Sequence, residues 1–446
     1  MGSKLIHQII DLFATNRNLI DVAKTFIVRV LAAVLAFGVQ VFLAQSLAID
    51  EYGIYVLIWT WLMVINLFAV FGFSESSLRF IPRYVLRKQH HWARGFIKTG
   101  FLFSILGATL VGFLGLIIIW FFYDTIPPSY SVPLIILGLA LPIMAQELYL
   151  EGISRAFGWY MLTTVPGYIV RPLFIAVGVF GVMQFGFVPN AATVLALVVI
   201  TTAGIVIFQA FVIRARIKKQ FGDIKTSKIK KFWVTSSLPL VFIAGIDELY
   251  LWSDIIILGF LMSAPDVAIY FAAQRSMSIA SFIQYAFMMV SAREFSLANA
   301  MRNKSELQRR ISSTSSWTFW LTVPAVLIML LVGYPLLSMF GSQFVSGYSV
   351  MLVLGVGFIV RASVGQATDL LVVMGHQNAN LWVSLGGIIF NIIFSLLLVP
   401  NFGIAGVAMA TTITFVLRSI AMTIIVKKLT GLWVLTSITP PLKKMA

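Results

Sequence analysis

A chain of 446 residues that is 60% hydrophobic and only 11% charged cannot be built from water-soluble domains, so lipid must supply part of its solvent. Its formal charge of +16 comes from 32 Lys and Arg against 16 Asp and Glu. These charges sit in the connections between apolar runs, not on one soluble face, which argues against a nucleic-acid binder, and the lack of cysteine excludes disulfides, thiolate metal sites and cysteine nucleophiles.

In chain order, residues 1–21 come first. Leu5, Ile6, Ile9, Ile10, Leu12 and Phe13 fall largely on one helical face and predict a short interfacial segment, with no pattern of a cleaved signal. A bilayer crossing takes roughly 20 apolar residues. About twelve such spans are predicted, over 22–47, 53–74, 96–121, 133–153, 162–186, 190–213, 234–262, 266–290, 316–340, 348–373, 380–399 and 404–427. Connections after the odd spans contain no Lys or Arg, whereas those after even spans carry Arg79, Arg83, Arg87 and Lys88, then Arg155, then the runs Arg214 to Lys231 and Arg293 to Arg310. The turn 375–379, with only His376, is the exception. Because cytoplasmic connections collect Lys and Arg, the pattern predicts a multi-pass protein of the cell (inner or plasma) membrane with both termini in the cytoplasm.

A weak repeat underlies the spans. Glu51-Tyr52-Gly53-Ile54-Tyr55 is answered by Asp266-Val267-Ala268-Ile269-Tyr270 at an offset of about 215, and Val188-Pro189-Asn190 by Val399-Pro400-Asn401. The chain therefore divides into an N-lobe over 22–213, a basic cytoplasmic linker over 214–233, a C-lobe over 234–428 and a cytoplasmic tail over 429–446. An even number of spans per half gives both halves the same orientation. Parallel repeats of this kind are expected of alternating-access transporters with a central cavity.

The residues at these places are similar to a known family. Glu51 to Tyr55, Ser77-Leu78-Arg79-Phe80-Ile81-Pro82, Arg171-Pro172, Gly375, Asn391, Val399-Pro400-Asn401-Phe402-Gly403-Ile404-Ala405-Gly406 and Ala410-Thr411 resemble the polysaccharide flippases of the multidrug/oligosaccharidyl-lipid/polysaccharide exporter superfamily. The resemblance implies an all-α integral membrane protein of two six-helix lobes in a MATE-like V. It further implies movement of an isoprenoid-linked oligosaccharide for surface polysaccharide, such as O-antigen, alongside the glycosyltransferases and glycan polymerase of the same pathway.

Charged side chains at mid-bilayer cost roughly 2.5–3.5 kcal/mol each on insertion scales, so they are the candidate site residues. Arg171 lies about nine residues into its span, roughly 14 Å at 1.5 Å per residue; Arg275 and Arg361 are similarly deep, and Arg29 is shallower. A guanidinium fork suits phosphate oxygens, which makes these four the expected contacts for a lipid-(pyro)phosphate head; pairing with embedded carboxylates is the competing reading. Asp247 and Asp254 are two helical turns apart and share a face, a candidate site for coupling to Na⁺ or H⁺. Glu147, Glu151 and Arg155 form a stripe that predicts a local helix ion pair. No P-loop, zinc spacing, nucleophile elbow or dinucleotide fingerprint occurs in a credible context, so neither an enzyme nor a cofactor is predicted. The alternatives are a multidrug/cation antiporter, which should carry deep acids in its first lobe, and a membrane-embedded glycan polymerase or glycosyltransferase. The latter would need catalytic carboxylates in a large outer loop; the longest, 122–132, holds only Asp124.

Overall fold

The structure, a computed structural model, describes residues 17–222, 227–300 and 303–436. The interfacial segment expected over 1–21 lies outside the described residues as far as residue 16, as do 223–226 of the expected linker and the tail beyond 436. Among the described residues every regular element is a helix. In order they are α1 (Arg17–Ser46), α2 (Ile49–Ala69), α3 (Phe73–Leu86), α4 (His90–Phe121), α5 (Pro128–Ala156), α6 (Tyr160–Gln184), α7 (Ala191–Phe221), α8 (Lys231–Leu261), α9 (Ala264–Met277), α10 (Phe282–Ala300), α11 (Lys304–Leu331), α12 (Gly333–Ser338), α13 (Tyr348–Ser363), α14 (Ala367–Val373), α15 (Gln377–Phe402) and α16 (Ile404–Thr430).

Ten of the described helical stretches are long and apolar enough to cross a bilayer. The expected seventh span is α8, whose 31 residues include Asp247, Glu248 and Asp254. The expected eighth is broken: α9 and α10 are joined by a 3₁₀ turn, Ser278–Ser281. The hydroxyls of Ser276, Ser278 and Ser281 donate back to the carbonyls of Ala272, Arg275 and Ser278, and such local bonds compete with the helical ladder. Elsewhere the ends are fixed by local chemistry. The Asn190 side chain accepts from Thr193 N at 2.9 Å to start α7. Lys218 and Lys219 sit in its last turn, where cations favour the helix dipole. Ser263 and Asp266 form a capping box at the start of α9.

The described residues cluster into two compact units, one drawn from those up to 46, from 66–126 and from those between 134 and 241, the other from 47–65, 127–133 and those from 242 onward. The first unit packs an aromatic core in which Phe73, Phe80 and Phe96 are fully buried, with the Phe80 and Phe96 rings 5.2 Å apart. Gly100 lets Tyr149 reach across from α5 to donate to the Ile97 carbonyl at 2.9 Å. At the start of α8 the buried Trp233 indole donates to Tyr84 Oη at 2.8 Å. In the second unit Tyr52 packs edge-on against Phe271 and Phe344. Gly53 lies so close to the Ala264 carbonyl that any Cβ there would collide with it.

Candidate functional site

In the first unit the charged side chains are tied together. Pro172 offers no N–H, and its ring would press on the carbonyl four residues before it. The helix widens there into a π turn, Pro166–Val170, in which the Arg171 N–H reaches the Pro166 carbonyl. Single π turns inside α-helices are frequent at functional sites. Arg171 Nη1 donates to Glu147 Oε2 of α5 at 2.5 Å, and the two side chains keep 17% and 10% of their surface accessible. Gly167, within the π turn, makes room for this pair: a Cβ there would stand 3.1 Å from Glu147 Oε1.

Next to it, Arg155 donates to Glu75 Oε1 of α3 at 2.9 Å and to Ser74 Oγ at 3.2 Å, while Glu151 stands 3.8 Å away. The expected pair along α5 is present, Arg155 with Glu151, and packing adds partners from other helices: Glu75 comes closer to Arg155, and Arg171 takes Glu147. Arg29 is exposed on α1, within electrostatic reach of Glu151 and Tyr168. Among the described residues three arginines (29, 155, 171) thus stand with three carboxylates (75, 147, 151) in one network.

The second unit is organised differently. Arg361 on α13 and Arg418 on α16 lie within electrostatic reach of each other, with Tyr250 and Tyr285 nearby. Tyr285 is also near Arg275 of α9, together with Tyr52 and Tyr55. Among the described residues no carboxylate lies within ion-pair distance of Arg275, Arg361 or Arg418. Their partners are aromatic and neutral. The Arg418 guanidinium sits 4.4 Å over the Tyr250 ring, and Arg361 lies 5.7 Å over that of Phe415. Arg418 Nη2 also donates to Asn380 Oδ1 at 3.2 Å. Such ring contacts hold a cation in place without neutralising it.

The two aspartates of α8 each have their own partners. Asp247 accepts from Ser384 Oγ at 2.7 Å and from Asn380 Nδ2 at 3.2 Å, both on α15. Asp254 is buried and accepts from Tyr270 Oη at 2.9 Å and Gln274 Nε2 at 2.6 Å, both on α9. Asn380 links Asp247 to Arg418, so one of these acids does connect to the arginine group through a neutral amide. A cavity of about 520 Å³ lined by Leu261, Met262, Leu396, Val399, Pro400 and Gly403 holds none of these charges.

Arg418 was not among the residues expected from sequence. It carried the same signal as the others, an arginine well inside an apolar span, but Lys427 and Lys428 follow in the same helix and make it resemble part of a basic helix end.

Residues 19–293 match the family model described as polysaccharide biosynthesis protein. The chain belongs to this family. Among its relatives are two from Haloferax volcanii. One is a probable low-salt glycan biosynthesis flippase, 23% identical over 43% of this chain and 39% of its own length; the other is a probable flippase, 29% identical over 38% and 37%. This chain thus matches about two fifths of the length of either relative. The fold is that of solved transporters. An inward-facing multidrug resistance MATE family transporter superposes with a TM-score of 0.72 at 13% identity, over 90% of this chain and 96% of that one. The lipid II flippase MurJ, in an inward closed conformation, superposes with 0.69 at 14% identity, over 91% and 87%. The family member described here is therefore an all-α, multi-pass membrane protein of MATE-like fold.

Proposed function

We propose that this protein flips a lipid-(pyro)phosphate-linked oligosaccharide from the cytoplasmic to the outer leaflet of the cell membrane during surface polysaccharide biosynthesis, by alternating access of its two lobes around a cationic central cavity. The observation that carries this reading is the set Arg275, Arg361 and Arg418, which have no carboxylate in ion-pair reach among the described residues; Arg361 and Arg418 lie over aromatic rings, Arg418 donates to an amide, and Arg275 stands near tyrosines. Keeping unpaired guanidinium groups within membrane helices is costly, and a diphosphate passenger supplies the missing charge through paired N–H···O bonds. The flippase names of the two Haloferax volcanii relatives agree with it. A cationic drug would be repelled by the same group, which weighs against the antiporter reading. Asp247 and Asp254 remain the residues proposed for coupling to Na⁺ or H⁺. Both termini are proposed to be cytoplasmic.

The test is surface-glycan display in a host lacking its own flippase for the same glycan. Display should be restored by the wild type and lost with Arg361→Ala or Arg418→Ala at equal protein levels. Full display by both variants and by their double would overturn the site assignment.

A further inference from the structure

One face of α15 carries Asn380, Ser384 and Gly387, whose spacing lines them up along the helix. Gly387 lets the Tyr250 ring of α8 lie against this face: a Cβ there would stand 2.7 Å from a ring carbon. One turn before Tyr250, Asp247 accepts from Ser384 Oγ at 2.7 Å and from Asn380 Nδ2 at 3.2 Å. Asn380 is only 4% exposed, and its amide oxygen accepts from Arg418 Nη2 of α16 at 3.2 Å.

The chemistry of its two neighbours leaves this amide one direction. A carboxylate only accepts hydrogen bonds and a guanidinium only donates them. Turned over, the amide would set its oxygen against Asp247 and its N–H groups against Arg418, losing both bonds in a buried place where unmade bonds are costly. Asn380 thus holds Arg418 by an acceptor that carries no charge. A carboxylate in the same place would fix the guanidinium equally well but cancel it, and among the described residues none lies within ion-pair distance of Arg418. The Tyr250 ring, 4.4 Å from the guanidinium carbon, holds the same group from a second direction, again without neutralising it.

From this we infer that Asn380 is a positioning residue for the cargo: it aims the Arg418 fork at the lipid-linked phosphate while leaving the positive charge whole, and Asp247 keeps the amide turned the way that does so. The inference rests on the flippase reading above and adds to it a residue that acts only through Arg418. Paired N–H···O bonds to a phosphate are directional, and a fork fixed before the cargo arrives loses less freedom when it binds. Asp247, Tyr250, Asn380, Ser384 and Arg418 all belong to the second unit.

The experiment is a double-mutant cycle on the purified full-length protein, read by titration calorimetry with farnesyl diphosphate and by thermal melting. Asn380→Leu is close in shape but makes neither bond, and should weaken probe binding about tenfold. Asn380→Gln keeps the amide on a longer stem and should lose less. In an Arg418→Ala background Asn380→Leu should change affinity by less than about twofold, since its effect runs through the missing side chain. Where that background binds too weakly to titrate, Arg418→Lys replaces it, and the loss should again be smaller than in the wild type because the fork is gone. A merely structural role would weaken binding by the same factor in both backgrounds. An equal loss in both, or an Asn380→Leu protein that binds within about twofold of wild type, overturns the positioning role and leaves the flippase reading intact. If Asn380→Leu fails to fold, Asn380→Gln runs the same cycle, and no loss, or a loss that persists without Arg418, overturns the role. A wild type that does not bind the probe, or that binds it as tightly with Arg418→Ala, overturns the reading beneath and the inference with it.

Discussion

Replacing Arg418 by alanine separates stability from binding. In the folded protein Arg418 contributes one ring contact at 4.4 Å and one hydrogen bond at 3.2 Å. These are each of order 1 kcal/mol. Its removal also relieves the repulsion between Arg418 and Arg361, which offsets part of that loss, so the net cost to folding should be about 1 kcal/mol or less. Binding should respond far more strongly, because a charge-assisted hydrogen bond is worth about 1.5–3 kcal/mol, or roughly ten- to a hundredfold in affinity. Titration calorimetry with farnesyl diphosphate on the purified protein reads the second quantity, and thermal melting reads the first. Arg418→Lys, which keeps the charge but not the fork, should fall between wild type and Arg418→Ala. An Arg418→Ala protein that melts normally and binds within about twofold of wild type would refute the assignment.

Three further outcomes follow from the packing. Gly53→Ala forces a Cβ into the Ala264 carbonyl and should cost roughly 1–3 kcal/mol or more, seen as a lowered melting temperature. Asp254→Asn turns one of the two carboxylate oxygens, each facing donors from Tyr270, Gln274 or Ile255 N, into an amide donor. It should cost about 1–3 kcal/mol and abolish any dependence of transport on Na⁺ or on pH, read in proteoliposomes with imposed gradients. Trp233→Phe leaves the Tyr84 hydroxyl without its indole donor and should lower stability by about 1 kcal/mol, with probe affinity unchanged.

Much of the helical architecture was legible in the sequence because apolar length and the placement of Lys and Arg report directly on membrane crossing. The break at Ser278–Ser281 was harder to read, since neither Pro nor Gly marks it; the signal was the serine cluster itself, whose hydroxyls draw the carbonyls out of the ladder. The depth of Arg171 could be counted along its span, but its partner could not. Glu147 lies 24 positions earlier on another helix, and which faces of α5 and α6 meet depends on the π turn that Pro172 induces. Arg155 does pair along its own helix with Glu151, as the spacing predicts, but the closer partner, Glu75, comes from another helix and could not be read for the same reason. In the second unit the deep arginines were visible one by one. That Arg418 belongs with Arg361, and that rings serve as their partners, emerges only once α8, α13 and α16 are packed together.

The most direct measurement is leaflet exchange itself. A diphosphate-linked oligosaccharide on an isoprenoid carrier is placed in proteoliposomes, and its arrival in the other leaflet is followed by an impermeant glycan-modifying reagent. The account predicts exchange by the wild type and its loss in the Arg361→Ala, Arg418→Ala double variant. Undiminished exchange by that variant would contradict it, as would a wild type that moves cationic dyes and leaves the lipid-linked glycan where it was.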